Sequence, residues 1–199
     1  MTIDMTRHTG ALGLAVAEEI DRRGVWRVRT DIKPDYDEES GEQRGVTFIE
    51  TEFPYKPSMD EVRDFVLGVR DKQTDGLILE GYEWTILHGD LEKPEEERRV
   101  GETWKVWLSR ENQDNYKEAH RLATIDASRV IPVKFKINET PDKKAVYETF
   151  ETFEELNAFY LGAFAYIKQA CLEPGWADKD SFDWTPYEEA LSEFTGTKR

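Results

Sequence analysis

Residues 130–176 read VIPVKFKINETPDKKAVYETFETFEELNAFYLGAFAYIKQACLEPGW, and this stretch decides the fold class. From Val130 to Ile137, the apolar Ile131, Val133, Phe135 and Ile137 alternate with Lys134 and Lys136, the period of a half-buried strand. Pro132 has no N–H to give to a ladder, which places it near the start of an edge strand. Asn138–Lys144 is rich in turn formers, and Ala145–Phe150 returns as the partner strand. Thr152 and Glu155 then carry a capping box, the hydroxyl taking a helical N–H and the carboxylate reaching back to the cap. Phe153, Leu156, Tyr160, Ala163, Phe164, Ile167, Ala170 and Cys171 follow at helical spacing up to Pro174-Gly175, a stop signal. One buried Leu or aromatic contributes roughly 1.5–3 kcal/mol by transfer from water. A helix packed on a hairpin is therefore the expected core, with a ligand pocket as the alternative use of the stripe.

The same order stands earlier in the chain. Val25–Thr30 and Val46–Phe53 read as strands around an acidic turn at 35–41. Ser58 and Glu61 repeat the capping box, ahead of a helix with Val62, Phe65, Val66 and Val69 on one face. Phe65-Val-Leu-Gly68 even rhymes with Phe159-Tyr-Leu-Gly162, so two ββα units are expected, distantly repeated. Residues 9–23 read as a first helix closed by Gly24. Leu77–Leu87 reads as a strand interrupted at Gly81, residues 90–102 as an exposed loop, and Thr103–Leu108 as a strand. Ser109 caps a helix to Ala123, and Thr185-Pro186 opens a short terminal one. The expectation is an α+β fold in which antiparallel hairpins are each followed by a capped amphipathic helix. Residues 1–76 would hold the N-terminal helix and the first unit, and residues 77–199 the second, the two forming one domain or a close pair.

Composition narrows function more than it names it. A net charge of −15 and a pI near 4.7 argue against nucleic acid, whose phosphates need clustered Lys and Arg, and against an anionic membrane. The single cysteine, Cys171, rules out an internal disulfide framework, fits a reducing compartment and reads as a buried thiol. No stretch has the length of a membrane span. Ala11–Ala17 is apolar but lacks the flanks of a signal peptide.

His8, His88 and His120 are scattered, without the spacing of zinc ligands. There is no phosphate-binding loop and no nucleophile elbow. Asp35-x-Asp37-x-Glu39 has the flavour of a calcium loop, but Gly41 comes one place late and Val46 stands where the glutamate belongs. Asp178, Asp180 and Asp183 read as an exposed acidic loop. No catalytic residue, cofactor or metal is assigned, and the protein is read as a non-enzyme. Trp176, Phe182, Trp184 and Tyr187 gather near the C-terminus and form the candidate contact patch, the alternative being a second core cluster.

Three stretches together resemble a domain family of unknown function found in prophages of gut bacteria and in phage tail-fibre-type proteins. They are Val106-Trp-Leu-Ser-Arg-Glu-Asn-Gln-Asp-Asn-Tyr-Lys117, Pro132-Val-Lys-Phe-Lys136 and Glu173-Pro-Gly-Trp-Ala-Asp-Lys-Asp-Ser-Phe-Asp-Trp184. Phe53-Pro-Tyr-Lys-Pro-Ser58 is similar as well. The resemblance runs from Gly45 to Tyr187; His120-Arg121, the link at 125–129 and residues 90–99 depart from it. It brings no catalytic residues. It implies a phage virion or tail-associated accessory protein that attaches or assembles tail fibres through contact with other tail or virion proteins. Such a protein would be made in the cytoplasm of the bacterial host and delivered to the tail, and a homo-oligomer is allowed. Two alternatives stand beside it: a carbohydrate-binding module for a host-surface glycan, and an acidic host-takeover protein.

Overall fold

The computed structural model describes residues 2–20 and 24–192. Among them the elements run β1 (Arg7–Gly10), β2 (Ala17–Glu19), β3 (Trp26–Tyr36), β4 (Gln43–Phe53), α1 (Met59–Glu80), β5 (Tyr82–Thr85), β6 (Thr103–Val106), α2 (Arg110–Ile125), β7 (Val133–Glu139), β8 (Ala145–Phe150), α3 (Phe153–Ala165), a π-helical segment (Tyr166–Leu172), α4 (Glu173–Asp180) and α5 (Thr185–Ser192). The fold is α+β with antiparallel pairing throughout. The chain divides into two units, Met1–Gln73 with Ala177–Arg199, and Thr74–Trp176. The division falls inside α1 and again inside α4.

In the first unit the strands lie in the order β1-β4-β3-β2. Alternation along β3 and β4 turns Trp26, Val28, Ile49 and Phe53 to one face, where Val62, Phe65, Val66 and Val69 of α1 cover them. Tyr187 and Leu191 of α5 complete this core. The β3–β4 ladder slips between Thr30 and Lys33, and Asp31 takes a left-handed φ of 51° at the bulge. Its carboxylate accepts from Arg7 and, at 2.7 Å, from Gln73 Nε2.

In the second unit β5–β6 and β7–β8 are separate hairpins, and Trp107 N–H donates to the Ile137 carbonyl at 2.9 Å where one passes beside the other. Phe159 of α3 sits at the centre, its ring 4.8–5.1 Å from those of Phe150, Tyr116 and Trp84. Val106, Leu108, Ile137, Val146 and Leu156 fill in around it. Both capping boxes form as expected, Glu61 N–H on Ser58 Oγ at 3.2 Å and Glu155 N–H on Thr152 Oγ1 at 3.3 Å.

Five expectations are corrected. The N-terminal helix read over residues 9–23 is instead β1 and β2, which pair with β4 and β3; residues 21–23 lie outside the described residues. Gly10 and Gly13 interrupt any helix there, and two strands with unpaired edges offer ladder hydrogen bonds in exchange. Leu77–Glu80 is the last turn of α1 rather than strand, because Gly81 takes φ +80° and ends the helix there. The helix begun at Phe153 does not stop at Pro174: the π segment runs on into α4, with Pro174 its second residue. Phe164 and Ala170 leave the predicted stripe for the outside, and Phe159 enters the core. Residues 177–192, assigned from sequence to the second half, group with the first unit. Among the described residues no helix is long and apolar enough to cross a membrane.

Candidate functional site

The hairpin β7–β8 holds a charge where its pattern calls for an apolar side chain. Val146, Glu148 and Phe150 share the inward face, and Glu148 is fully buried. Burial of a carboxylate is tolerable only when its lone pairs are filled. Oε2 accepts from Trp84 Nε1 at 2.8 Å and Leu87 N at 2.7 Å; Oε1 accepts from the amides of His88, Gly89 and Thr149 at 3.0–3.1 Å. Glu148 thereby pins the segment that follows β5.

His88 is held from the other side. Its Nε2 lies 3.0 Å from Glu155 Oε1 and its Nδ1 3.4 Å from Glu151 Oε2. The hydrogen bond to Glu155, with the carboxylates around it, raises the imidazole pKa above its ordinary value. Burial pushes Glu155 upward, but His88 and the amides of Glu151 and Thr152 hold it lower. Both ring nitrogens face carboxylates, so the ring ties the segment after β5 to the start of α3.

The loop pinned in this way forms one wall of an open cavity of about 980 Å³. Lys134, Lys144 and Tyr147 line the hairpin side; Glu92, Arg98 and Glu102 line the loop side. Lys134 Nζ bridges Asp90 at 3.1 Å and Glu92 at 2.9 Å and lies 5.1 Å from the centre of the Tyr147 ring. Arg98 Nε donates to the Lys93 carbonyl at 2.8 Å, and Arg99 pairs with Glu102 at 3.0 Å. The trough presents both signs of charge, tied together by its own ion pairs.

The C-terminal aromatics are placed differently from the contact patch read in the sequence. Phe182, Trp184 and Tyr187 do come together, with ring centroids 4.5–6.1 Å apart. Arg70 lies over Phe182 at 4.4 Å and Arg63 over Trp184 at 5.7 Å, so α1 takes the ring faces. Tyr187 is buried, its hydroxyl donating to the Arg29 carbonyl at 2.7 Å, and burial raises its pKa. Tyr187 is core, and Phe182 and Trp184 are half-buried against it. Trp176 belongs to the other unit and is 52 % exposed. The acidic loop expected at 178–183 is partly helical, and Asp178 and Lys179 pair with Arg70 and Asp71 of α1.

The calcium-like acids serve the β3–β4 turn. Asp37 Oδ1 accepts from Glu39 N and Ser40 N at 3.1 and 2.8 Å, and Asp35 pairs with Arg44 at 2.9 Å. His120 stacks on Tyr160 at 4.2 Å and meets Asn157 Oδ1 at 2.9 Å, which fixes α2 against α3. Among the described residues no group of three or more His, Cys, Asp or Glu side chains is placed to hold a metal ion.

The outward side of α3 remains. Glu154, Ala158, Leu161 and Phe164 of α3, with Lys168 on the π-helical segment that follows, are exposed along one side, Leu161 at 52 % and Phe164 at 53 % exposure. An amphipathic surface helix puts polar residues on that side; here Glu154 and Lys168 flank an apolar middle of Ala158, Leu161 and Phe164. Leu161 and Phe164 are two of several large apolar side chains exposed among the described residues, and these two are neighbours on one helix face. The signal in the sequence was the composition FEELNAFYLGAFA, too apolar for a single buried face. Compared with protein-family models, with curated proteins and with solved structures, the chain matches none.

Proposed function

We propose that this protein is a phage virion or tail-associated accessory protein that works by contact with other proteins, attaching or assembling tail fibres without catalysis of its own. The exposed apolar stripe of α3 carries the contact part of this reading: Leu161 and Phe164 stand outward on a helix already packed on its other side. The phage assignment rests on the motif order from Gly45 to Tyr187, above all Val106–Lys117 and Glu173–Trp184. The contact surface moves accordingly from the C-terminal aromatics to α3. A glycan platform made of those aromatics finds less support, because Phe182, Trp184 and Tyr187 spend their ring faces on one another and on α1.

The test is peptide mass spectrometry on gradient-purified particles of the parent phage, with copy number taken against the major tail protein. Recovery at a fixed, low multiple supports the reading. Absence from particles, with the protein abundant in infected cells, overturns a structural role and leaves an assembly factor or the host-takeover alternative. Leu161→Glu, on the exposed side of α3, is expected to reduce incorporation while leaving the fold intact.

A further inference from the structure

The stripe on α3 is self-complementary. Centred on Leu161, it has Ala158 and Phe164 three residues to either side, and Glu154 and Lys168 seven residues to either side. Turned end for end, the same stripe sets Phe164 against Ala158, large against small, and Lys168 against Glu154. All five positions are exposed. Glu154 has no ion pair among the described residues, and the bridge from Lys168 to Glu173 is loose at 3.9 Å. A second copy of this chain would supply partners for both.

We propose that two copies pair antiparallel along α3 about a two-fold axis through Leu161. This rests on the contact reading above and names its partner. A two-fold interface requires one patch to complement itself, and apolar centre with opposite charges at its ends meets that requirement. The stripe spans about 20 Å of helix at about 1.5 Å per residue. One helix face falls short of the roughly 800 Å² per partner of a standard stable complex, so the dimer is weak and concentration-dependent.

Sedimentation equilibrium of the full chain over a wide concentration range tests this. The weight-average mass is expected to rise from one chain toward two. Leu161→Glu holds it at one chain, with an unchanged circular-dichroism spectrum. Lys168→Glu alone sets like charges opposite each other and weakens association about tenfold or more, and Glu154→Lys added to it restores association. A dimer that ignores these changes, or a single-chain mass at every concentration, overturns the pairing. Loss of Leu161→Glu from particles whose native protein is monomeric refutes self-pairing alone; absence of the native protein from particles refutes a place in the virion, whatever its mass.

Discussion

A buried carboxylate costs several kcal/mol unless its oxygens are filled, and Glu148 fills them with four amides and an indole N–H. Removing the carboxylate strands the amides of Leu87, His88 and Gly89 at about 1–3 kcal/mol each. Glu148→Ala is therefore expected to destabilise by about 3–5 kcal/mol, and Glu148→Gln by less, because one acceptor oxygen survives. Urea titration followed by tryptophan fluorescence measures both; a loss under about 1 kcal/mol in the alanine variant would mean the loop does not need its anchor. His88 adds a pH dependence. Its pKa is raised in the folded chain above the ordinary 6.5, so its clamp stabilises fully below that value and the benefit drains away as pH rises through the folded pKa. The urea midpoint is expected to fall as pH rises from the ordinary imidazole value of 6.5 through the raised folded one, and His88→Asn to flatten that fall. Glu148 was not legible, since Val146 and Tyr147 stand side by side and leave no clear alternation to mark an inward face. The donors that fill it come from some sixty residues earlier in the chain, and no local pattern announces them.

Elements begin where their caps say and end where the backbone permits. Ser58 and Thr152 open α1 and α3 at the expected places, because a capping box is a local contract among four residues. Helix ends were harder to read. Leu77-Ile-Leu79 suits a strand as well as a helix, and the left-handed turn at Gly81 settles the matter. Two glycines in this region should respond oppositely. At Gly76, inside α1, an added Cβ meets open space, so Gly76→Ala is expected to stabilise by about 0.5–1 kcal/mol. At Gly81 a Cβ collides with the Val106 carbonyl and φ is +80°, so Gly81→Ala is expected to cost more than about 1 kcal/mol. Thermal melts of the pair decide it, and equal shifts would contradict the geometry. Past Ala165 the π turns put an extra residue into the helical count, which is why a 3.6-residue period mispredicts Ala170. It still finds Cys171, which is buried.

At the scale of the molecule, the hairpin-and-helix order read twice in the sequence accounts for the two cores, one around Phe65 and the other around Phe159. Hidden from the sequence was the return of the chain: nothing in WTPYEEALS says which core Tyr187 and Leu191 will join. The α3 stripe was half legible, in the surplus of apolar residues but not in which of them turn outward. A net charge of −15 also works against compaction as a whole. Raising NaCl from about 0.01 to about 0.15 M shortens the Debye length from about 30 to about 8 Å and is expected to raise the melting temperature; a flat response would show that local ion pairs already offset the repulsion. The division into units also sets an order of completion. A ribosome releases residues 1–73 first, yet their core wants Tyr187 and Leu191, which emerge after all of residues 74–176. Of the two units, the one begun first is thus the last to be finished, and a chain cut short after residue 176 has every residue of the later-begun unit while the other waits for a piece that never arrives.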